Sequence, residues 1–187
     1  MTRRIRPTGP RARLAVAGVA GLLAISTAAP AMAMGSGDEY EDLQVGVTYT
    51  VYEPTFTAGL ALQHFGGNTA CPAGTEENAL ANYGKRSARQ FTITQGNPMC
   101  SDIGEGGPVL TTTIGGAKAT VSAYCPPSDG TWTCKRSDVL KYGGNLQVTL
   151  PAAAGLRPTT VWIETVGPKN VSAQQLVRIA RGLEPVG

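Results

Sequence analysis

The chain has 187 residues, of which 42% are hydrophobic and 16% charged, with 16 Lys and Arg against 13 Asp and Glu. Five of the basic residues are arginines within positions 3–13, so the rest of the chain carries 11 basic and 13 acidic residues, a net charge of −2. This balance excludes a function that depends on a basic surface, such as binding to nucleic acid or to an anionic membrane.

The first 33 residues follow the order of a secretory signal peptide. An arginine-rich leader without acidic residues precedes an apolar run at 14–29, and Ala31-Met32-Ala33 then supplies small residues where a signal peptidase cleaves. The apolar run is about 16 residues, whereas a membrane-spanning helix needs about 20. We therefore predict cleavage after Ala33, a secreted or extracytoplasmic location, and no stable membrane anchor after cleavage.

Residues 34–42 are small, polar and acidic, and they indicate a flexible lead-in. The acidic residues Asp38, Glu39, Glu41 and Asp42 lack the spaced Asp, Asn and Gly pattern of a calcium loop, so we interpret them as a solvated run. From position 43 to 51 apolar residues alternate with Gln, Gly and Thr, which predicts a first strand.

Residues 43–187 form the predicted single domain. A short strand is expected at 59–65 and a long glycine-containing loop at 66–87. Thr-rich and β-branched segments around Gly115-Gly116 predict a hairpin of 109–114 with 117–125. Further strands are predicted at 90–94, at 132–134, at 146–150 and at 161–166.

The clearest helix follows Ser172, which with Gln175 three positions later forms a capping-box pattern. Apolar residues then recur at helical spacing at Leu176, Ile179 and Leu183. The apolar stripe of such a helix must pack against another element, here the sheet. The fold class predicted is therefore α+β: a mostly antiparallel, curved sheet of about seven strands with a C-terminal amphipathic helix packed on it.

Four cysteines, Cys71, Cys100, Cys125 and Cys134, lie in the part expected to be exported. An even number of cysteines in an exported chain indicates disulfides, here two. We favour Cys71–Cys100 and Cys125–Cys134 because each bridge closes a local loop, although the sequence permits three pairings. Zinc sites usually have Cys pairs two to four residues apart, which this chain lacks, so the domain is predicted to be disulfide-stapled.

Three segments resemble parts of extracytoplasmic bacterial domains that occur behind anti-sigma-factor regions. They are residues 52–62, with a proline before a short strand, residues 91–95, and Val161-Trp162-Ile163-Glu164 followed by the helix at 172–183. Those domains are related in shape to lipoprotein-sorting proteins, in which a curved antiparallel sheet surrounds an apolar cavity. The resemblance implies a similar sheet and an apolar ligand between the sheet and the last helix.

No catalytic constellation emerges from the sequence, and we predict no catalytic residue, metal ligand or cofactor. His64 is the single histidine and is interpreted as an exposed strand-end residue rather than a general base. Glu76 and Glu77 are adjacent candidates for a carboxylate pair, but we interpret them as residues of a surface loop. Four aromatic residues are candidates to line a ligand surface or to pack in the core: Tyr49, Tyr52, Trp132 and Trp162.

The sequence therefore favours a secreted, non-catalytic binding or interaction module. Its partner is unknown and is either a small apolar ligand or another protein. Two alternatives stay open. One is a hydrolase that uses His64 or a carboxylate pair, and the other is a protease inhibitor that presents residues 96–108 as an exposed loop.

Overall fold

The computed structural model describes residues 38–67, 78–97 and 104–187, all of which belong to the unit Met34–Gly187. The predicted signal peptide, together with Cys71 and Cys100, lies outside these ranges. Across the described ranges, no helix is long and apolar enough to cross a membrane.

The predicted α+β fold is confirmed: one large antiparallel sheet carries a C-terminal helix. Its seven strands lie in the order β2-β3-β4-β8-β7-β6-β5, and a separate two-stranded sheet pairs β1 with β9. The strands are β1 Tyr52–Pro54, β2 Leu62–Gly67, β3 Asn78–Gly84, β4 Gln90–Gly96, β5 Gly107–Ile114, β6 Ala117–Ala123, β7 Gly144–Leu150, β8 Thr159–Thr165 and β9 Leu183–Pro185.

The large sheet consists of two antiparallel meanders, β2-β3-β4 and β5-β6-β7-β8, joined side by side. The join is the β4–β8 ladder, in which Ile93 lies opposite Ile163 and Thr92 lies opposite Glu164. The predicted hairpin around Gly115-Gly116 is the β5–β6 turn, and both glycines have positive φ there. One sheet therefore depends on contacts between residues far apart in the sequence.

Helix α3, Ala173–Arg181, covers one face of the sheet and begins as predicted. Ser172 accepts a hydrogen bond from the Gln175 backbone amide, and the Gln175 side chain accepts one from the Ser172 amide. Leu176 and Ile179 are completely buried in the main core cluster. At about 25 cal/mol per Å² of apolar surface, burial of this stripe is the main contribution of α3 to stability.

The beginning of the domain differs from the prediction. Residues Glu39–Gly46 form helix α1, whereas we expected a flexible lead-in to 42 and a strand from 43. The Asp38 side chain caps the helix by accepting from the amides of Tyr40 and Glu41, and acidic residues in a first turn are favoured by the helix dipole. The alternating apolar residues are not a strand face, because Val45 is 91% exposed.

Helix α1 is attached to the sheet by a buried layer of aromatic rings. The Tyr40 hydroxyl lies 2.6 Å from the Tyr83 hydroxyl on β3, and the Tyr40 ring meets Phe65 edge-on at 4.7 Å. Tyr83 in turn stacks on Phe91. Burial raises the pKa of Tyr40 and raises the pKa of Tyr83 to about 12, so the pair remains neutral and hydrogen-bonded at physiological pH.

A disulfide between Cys125 and Cys134 is present as predicted, with a Cα–Cα distance of 5.6 Å. In the chain-entropy model a loop of this length contributes about 3 kcal/mol. The bridge holds the 125–134 loop against the start of β5, where a Cβ on Gly107 would lie 2.9 Å from the Cys134 sulfur. The Cys71–Cys100 bridge stays a prediction, because both residues lie outside the described ranges.

Three further elements were missed or misplaced. Strand β3 lies within the segment predicted as a loop at 66–87. The expected strand at 132–134 is absent from the described structure, which instead has a bridge between Ser128 and Thr131 and a short helix α2, Asp138–Tyr142. Leu183, predicted on the stripe of the C-terminal helix, instead begins strand β9, because the helix ends at Arg181. Pro54 and Pro185 lie in the two-stranded β1–β9 sheet, in which both strands are edge strands of the kind that tolerates proline.

Glu53 supplies a prediction about pH. Glu53 is exposed, but partial loss of solvent around its carboxylate, followed by the charges of Asp38, Glu41 and Glu39, raises its pKa above the usual glutamate value. The folded state therefore binds this proton more tightly than the unfolded chain, and Glu53 lowers stability once the pH exceeds its unfolded pKa. We expect Glu53→Gln to raise the melting temperature at about pH 7 and to lose this advantage near pH 4.

The measurement is thermal unfolding of both proteins across that pH range. Glu105→Gln is the matched control, because it removes a carboxylate from an exposed loop. The change in melting temperature that it causes should be the same at both pH values. An equal gain at both pH values for Glu53→Gln would show that ionisation is not the cause.

Candidate ligand-binding cleft

The face of the sheet opposite α3 carries a row of polar side chains. Asn82, Thr92, Glu164, Asn145 and Ser122 lie directly opposite one another across five adjacent strands. Directly opposed residues of antiparallel strands point to the same side of the sheet. We call this side of the sheet the polar face, and it presents amide, hydroxyl and carboxylate groups rather than an apolar stripe.

Part of the polar face is a fixed hydrogen-bond network around Tyr124. Its hydroxyl donates to a Glu164 carboxylate oxygen at 2.5 Å and accepts from the Asn145 amide at 3.1 Å. Burial, with the neighbouring Glu164, raises the pKa of Tyr124, so the hydroxyl keeps its proton. The network fixes the Glu164 carboxylate within the face.

A cleft of about 580 Å³ opens at the β2-β3-β4 end of this face. That volume lies within the roughly 300–1,000 Å³ of small-molecule sites. The described residues around it come from three strands and two turns, and five of the nine have polar side chains: Gln63, His64, Asn82, Gly84, Arg86, Gln90, Val166, Gly167 and Pro168.

The histidine reaches the cleft because strand β2 is irregular. The β2–β3 register shifts between Leu62 and His64, so Gln63 is an extra residue in the strand. Such bulges re-aim neighbouring side chains. His64 also borders a second cavity, to which Glu39 and Phe65 contribute.

The far wall of the cleft is the turn between β3 and β4. Gly84 begins this turn with φ of +81°, and a Cβ there would lie 2.2 Å from the Arg89 carbonyl oxygen, so only glycine fits. The Ala88 amide donates to the Lys85 carbonyl and closes the turn. Arg86 projects from it as an exposed residue.

The cleft floor is tied to the end of β8. The Gln90 side-chain amide donates to the Val166 carbonyl at 2.8 Å, which holds the 166–168 turn beside the start of β4. On the neighbouring strand the Thr92 hydroxyl donates to the Asn82 side-chain oxygen at 2.7 Å. These two bonds orient two of the amide side chains that border the cleft.

The residues singled out from the sequence fall in different places. His64 lines the cleft. Tyr49 and Tyr52 are buried and donate hydroxyl hydrogen bonds to backbone carbonyls of Gln95 and Pro151, so they belong to the core. Trp132 is 37% exposed on the disulfide loop. Trp162 lies on the polar face, and its buried indole nitrogen has no hydrogen-bond partner among the described residues. Glu76 and Glu77 lie outside the described ranges.

Of the acidic residues predicted to be a solvated run, Glu39, Glu41 and Asp42 are exposed, although they belong to helix α1 rather than to a flexible lead-in. Asp38, Glu41, Glu53 and Glu184 border one small cavity. Within the described ranges no group of three or more His, Cys, Asp or Glu residues is arranged to hold a metal ion.

Sequence reasoning missed Asn82, Arg86 and Gln90 as site residues. They come together only because β3 and β4 form a hairpin that was taken for a loop and a strand. The one local signal was the Gly84-Lys85-Arg86-Ser87 turn, whose polar composition is common to many surface turns.

These features define an α+β protein with an open seven-stranded sheet, a helix on one face and a polar cleft on the other. No protein-family model, curated protein or solved structure matches the chain.

Proposed function

We propose that this protein is an extracytoplasmic, non-catalytic binding module whose ligand occupies the polar cleft. The cleft itself is the observation that supports this proposal, since it has the volume of a small-molecule site and is bordered by fixed polar side chains. The disulfide at Cys125 and Cys134 is compatible with a location outside the cytoplasm.

The cleft is a better binding place than the space under α3. The sequence suggested an apolar ligand between the sheet and that helix, but Leu176, Ile179 and Ala180 are at most 1% exposed against the sheet. Side chains packed in this way leave little room for a guest molecule. We therefore assign the ligand to the polar face, which α3 does not cover.

A binding role fits the cleft better than hydrolysis. His64 is exposed, and within the described ranges it makes no hydrogen bond to a carboxylate or to a nucleophilic side chain. Nucleophilic catalysis needs such a partner to activate the attacking group. The inhibitor alternative concerns residues 96–108, of which 98–103 lie outside the described ranges.

The experiment uses protein recovered from outside the cells that produce it. Native mass spectrometry is expected to show a chain beginning at Met34 and, before extraction, a bound small molecule. Gly167→Phe should remove that molecule, because a Cβ at Gly167 meets nothing closer than 4.0 Å and a larger side chain would occupy the cleft without strain. Gly46→Phe, at an open surface position on α1, is the matched control and should keep the molecule.

Binding that persists in Gly167→Phe would contradict the assignment to the cleft. Intact protein with residues 1–33, found only in the cytosol, would contradict the location. Hydrolase activity that is lost in His64→Ala would contradict the non-catalytic role.

A further inference from the structure

The side chains that border the cleft include positively charged and basic groups, and this charge indicates the class of ligand. Among the described residues that border the cleft, Arg86 is a permanent cation, His64 is a base and the others are neutral, so none of them is Asp or Glu. We propose that the cleft binds a small anion through its carboxylate or phosphate group. This inference depends on the proposed function, because it names the class of ligand for the same cleft.

Arg86 is the main anion-binding group that we propose, because its guanidinium is unpaired within the described ranges. Within the described ranges it makes no ion pair and no hydrogen bond, although arginines at a protein surface commonly pair with carboxylates. A guanidinium offers five donors in a planar fork that matches the oxygens of a carboxylate or phosphate. The other arginine of this turn, Arg89, is already used, because it donates to the Ala58 carbonyl at 2.8 Å.

Asn82 adds a neutral donor at a fixed orientation. Its side-chain oxygen accepts from the Thr92 hydroxyl, which leaves the two N–H groups of the same amide without a partner in the described structure. His64, which the β2 bulge places opposite Asn82, contributes a third group able to donate. Three donors from β2, β3 and the β3–β4 turn therefore border one space, which is an arrangement suited to an oxyanion.

The nearby carboxylates do not occupy this space. Glu39 borders a second cavity, which shares Gln63 and His64 with the cleft, and is not among the described residues around the cleft itself. Glu164 lies across Thr92 on β8 and accepts the hydroxyl hydrogen bond of Tyr124. The cleft is therefore a locally positive region in a domain whose overall charge is slightly negative, and the size of the cleft favours a small molecule over a polymer.

The test is an NMR titration of isotopically labelled protein, after removal of any bound molecule, with inorganic phosphate, citrate and, as a neutral probe, glucose. We expect phosphate or citrate to shift the amide signals of Gly84 and Gly167. Arg86→Gln should weaken that binding by about tenfold or more, because hydrogen bonds to a charged group contribute about 1.5–3 kcal/mol. Lys85→Gln removes the same charge from the same turn without touching the cleft, and it should change affinity by less than about threefold.

Equal weakening by Lys85→Gln and Arg86→Gln would overturn the proposal, since it would mean general attraction rather than a site at Arg86. Shifts produced by glucose but by neither anion would also overturn it, while leaving a binding cleft in place. If no probe shifts these signals, the anion inference is overturned. If Gly167→Phe also fails to displace the molecule carried by the native protein, the proposed binding function fails with it.

Discussion

Replacing Gln95 with leucine is expected to lower the free energy of unfolding by about 3 kcal/mol or more. Gln95 is 1% exposed on β4, and its side chain makes both hydrogen bonds that a neighbouring strand would make. It accepts from the Tyr52 amide at 2.8 Å and donates to the Tyr52 carbonyl at 3.0 Å. Leucine would leave both backbone groups buried and unpaired, at a cost of about 1–3 kcal/mol for each group.

The measurement is urea unfolding followed by tryptophan fluorescence. Gln147→Leu is the matched control, because Gln147 is exposed on β7 and an exposed substitution should change stability by no more than about 0.5 kcal/mol. If the two variants were equally stable, the Gln95 side chain would not hold β1 to the large sheet.

The second large effect is expected at the helix–sheet contact. Leu176→Ala should destabilise the protein by about 2–5 kcal/mol, because it removes a fully buried side chain and leaves a cavity against a rigid sheet. Leu176→Met, which nearly conserves volume, should cost less than about 1.5 kcal/mol.

Gln174→Ala is the control on the exposed side of the same helix, and it should be close to neutral. Chemical denaturation of the three variants gives the comparison. A cost below about 1 kcal/mol for Leu176→Ala would mean that the contact is loosely packed, and it would return the space under α3 to consideration as a ligand site.

The two predictions also show where sequence reasoning succeeded and where it failed. The α3 prediction was correct because its information is local: a capping box, an apolar stripe and a sheet-forming context. The hairpin at Gly115-Gly116 was likewise correct, since two glycines with positive φ specify that turn. In both elements, the residues that determine the structure lie close together in the sequence.

The failure at residues 39–51 has a cause that the alternation of residue types does not reveal. The segment after α1 has the alternation of a strand, but its backbone bonds to glutamine side chains and to the backbone of Arg157 rather than to a full ladder. Gln44 donates to the Tyr49 carbonyl and accepts from the Val51 amide, and Gln95 serves Tyr52 in the same way. The pattern of apolar residues does not reveal that a glutamine side chain will make the hydrogen bonds of a neighbouring strand. The cleft was missed for a similar reason, because Asn82, Arg86 and His64 come together only through strand pairing.

The position of β8 has a consequence for the order in which the protein folds. This strand lies between β4 and β7, yet it is the last of the large sheet to be synthesised, with only α3 and β9 after it. The first meander consequently has no neighbour along β4 until residues 159–165 have emerged, and such distant pairings are slow to form. The two meanders therefore cannot join into one sheet before residues 159–165 have been synthesised, which is late in translation.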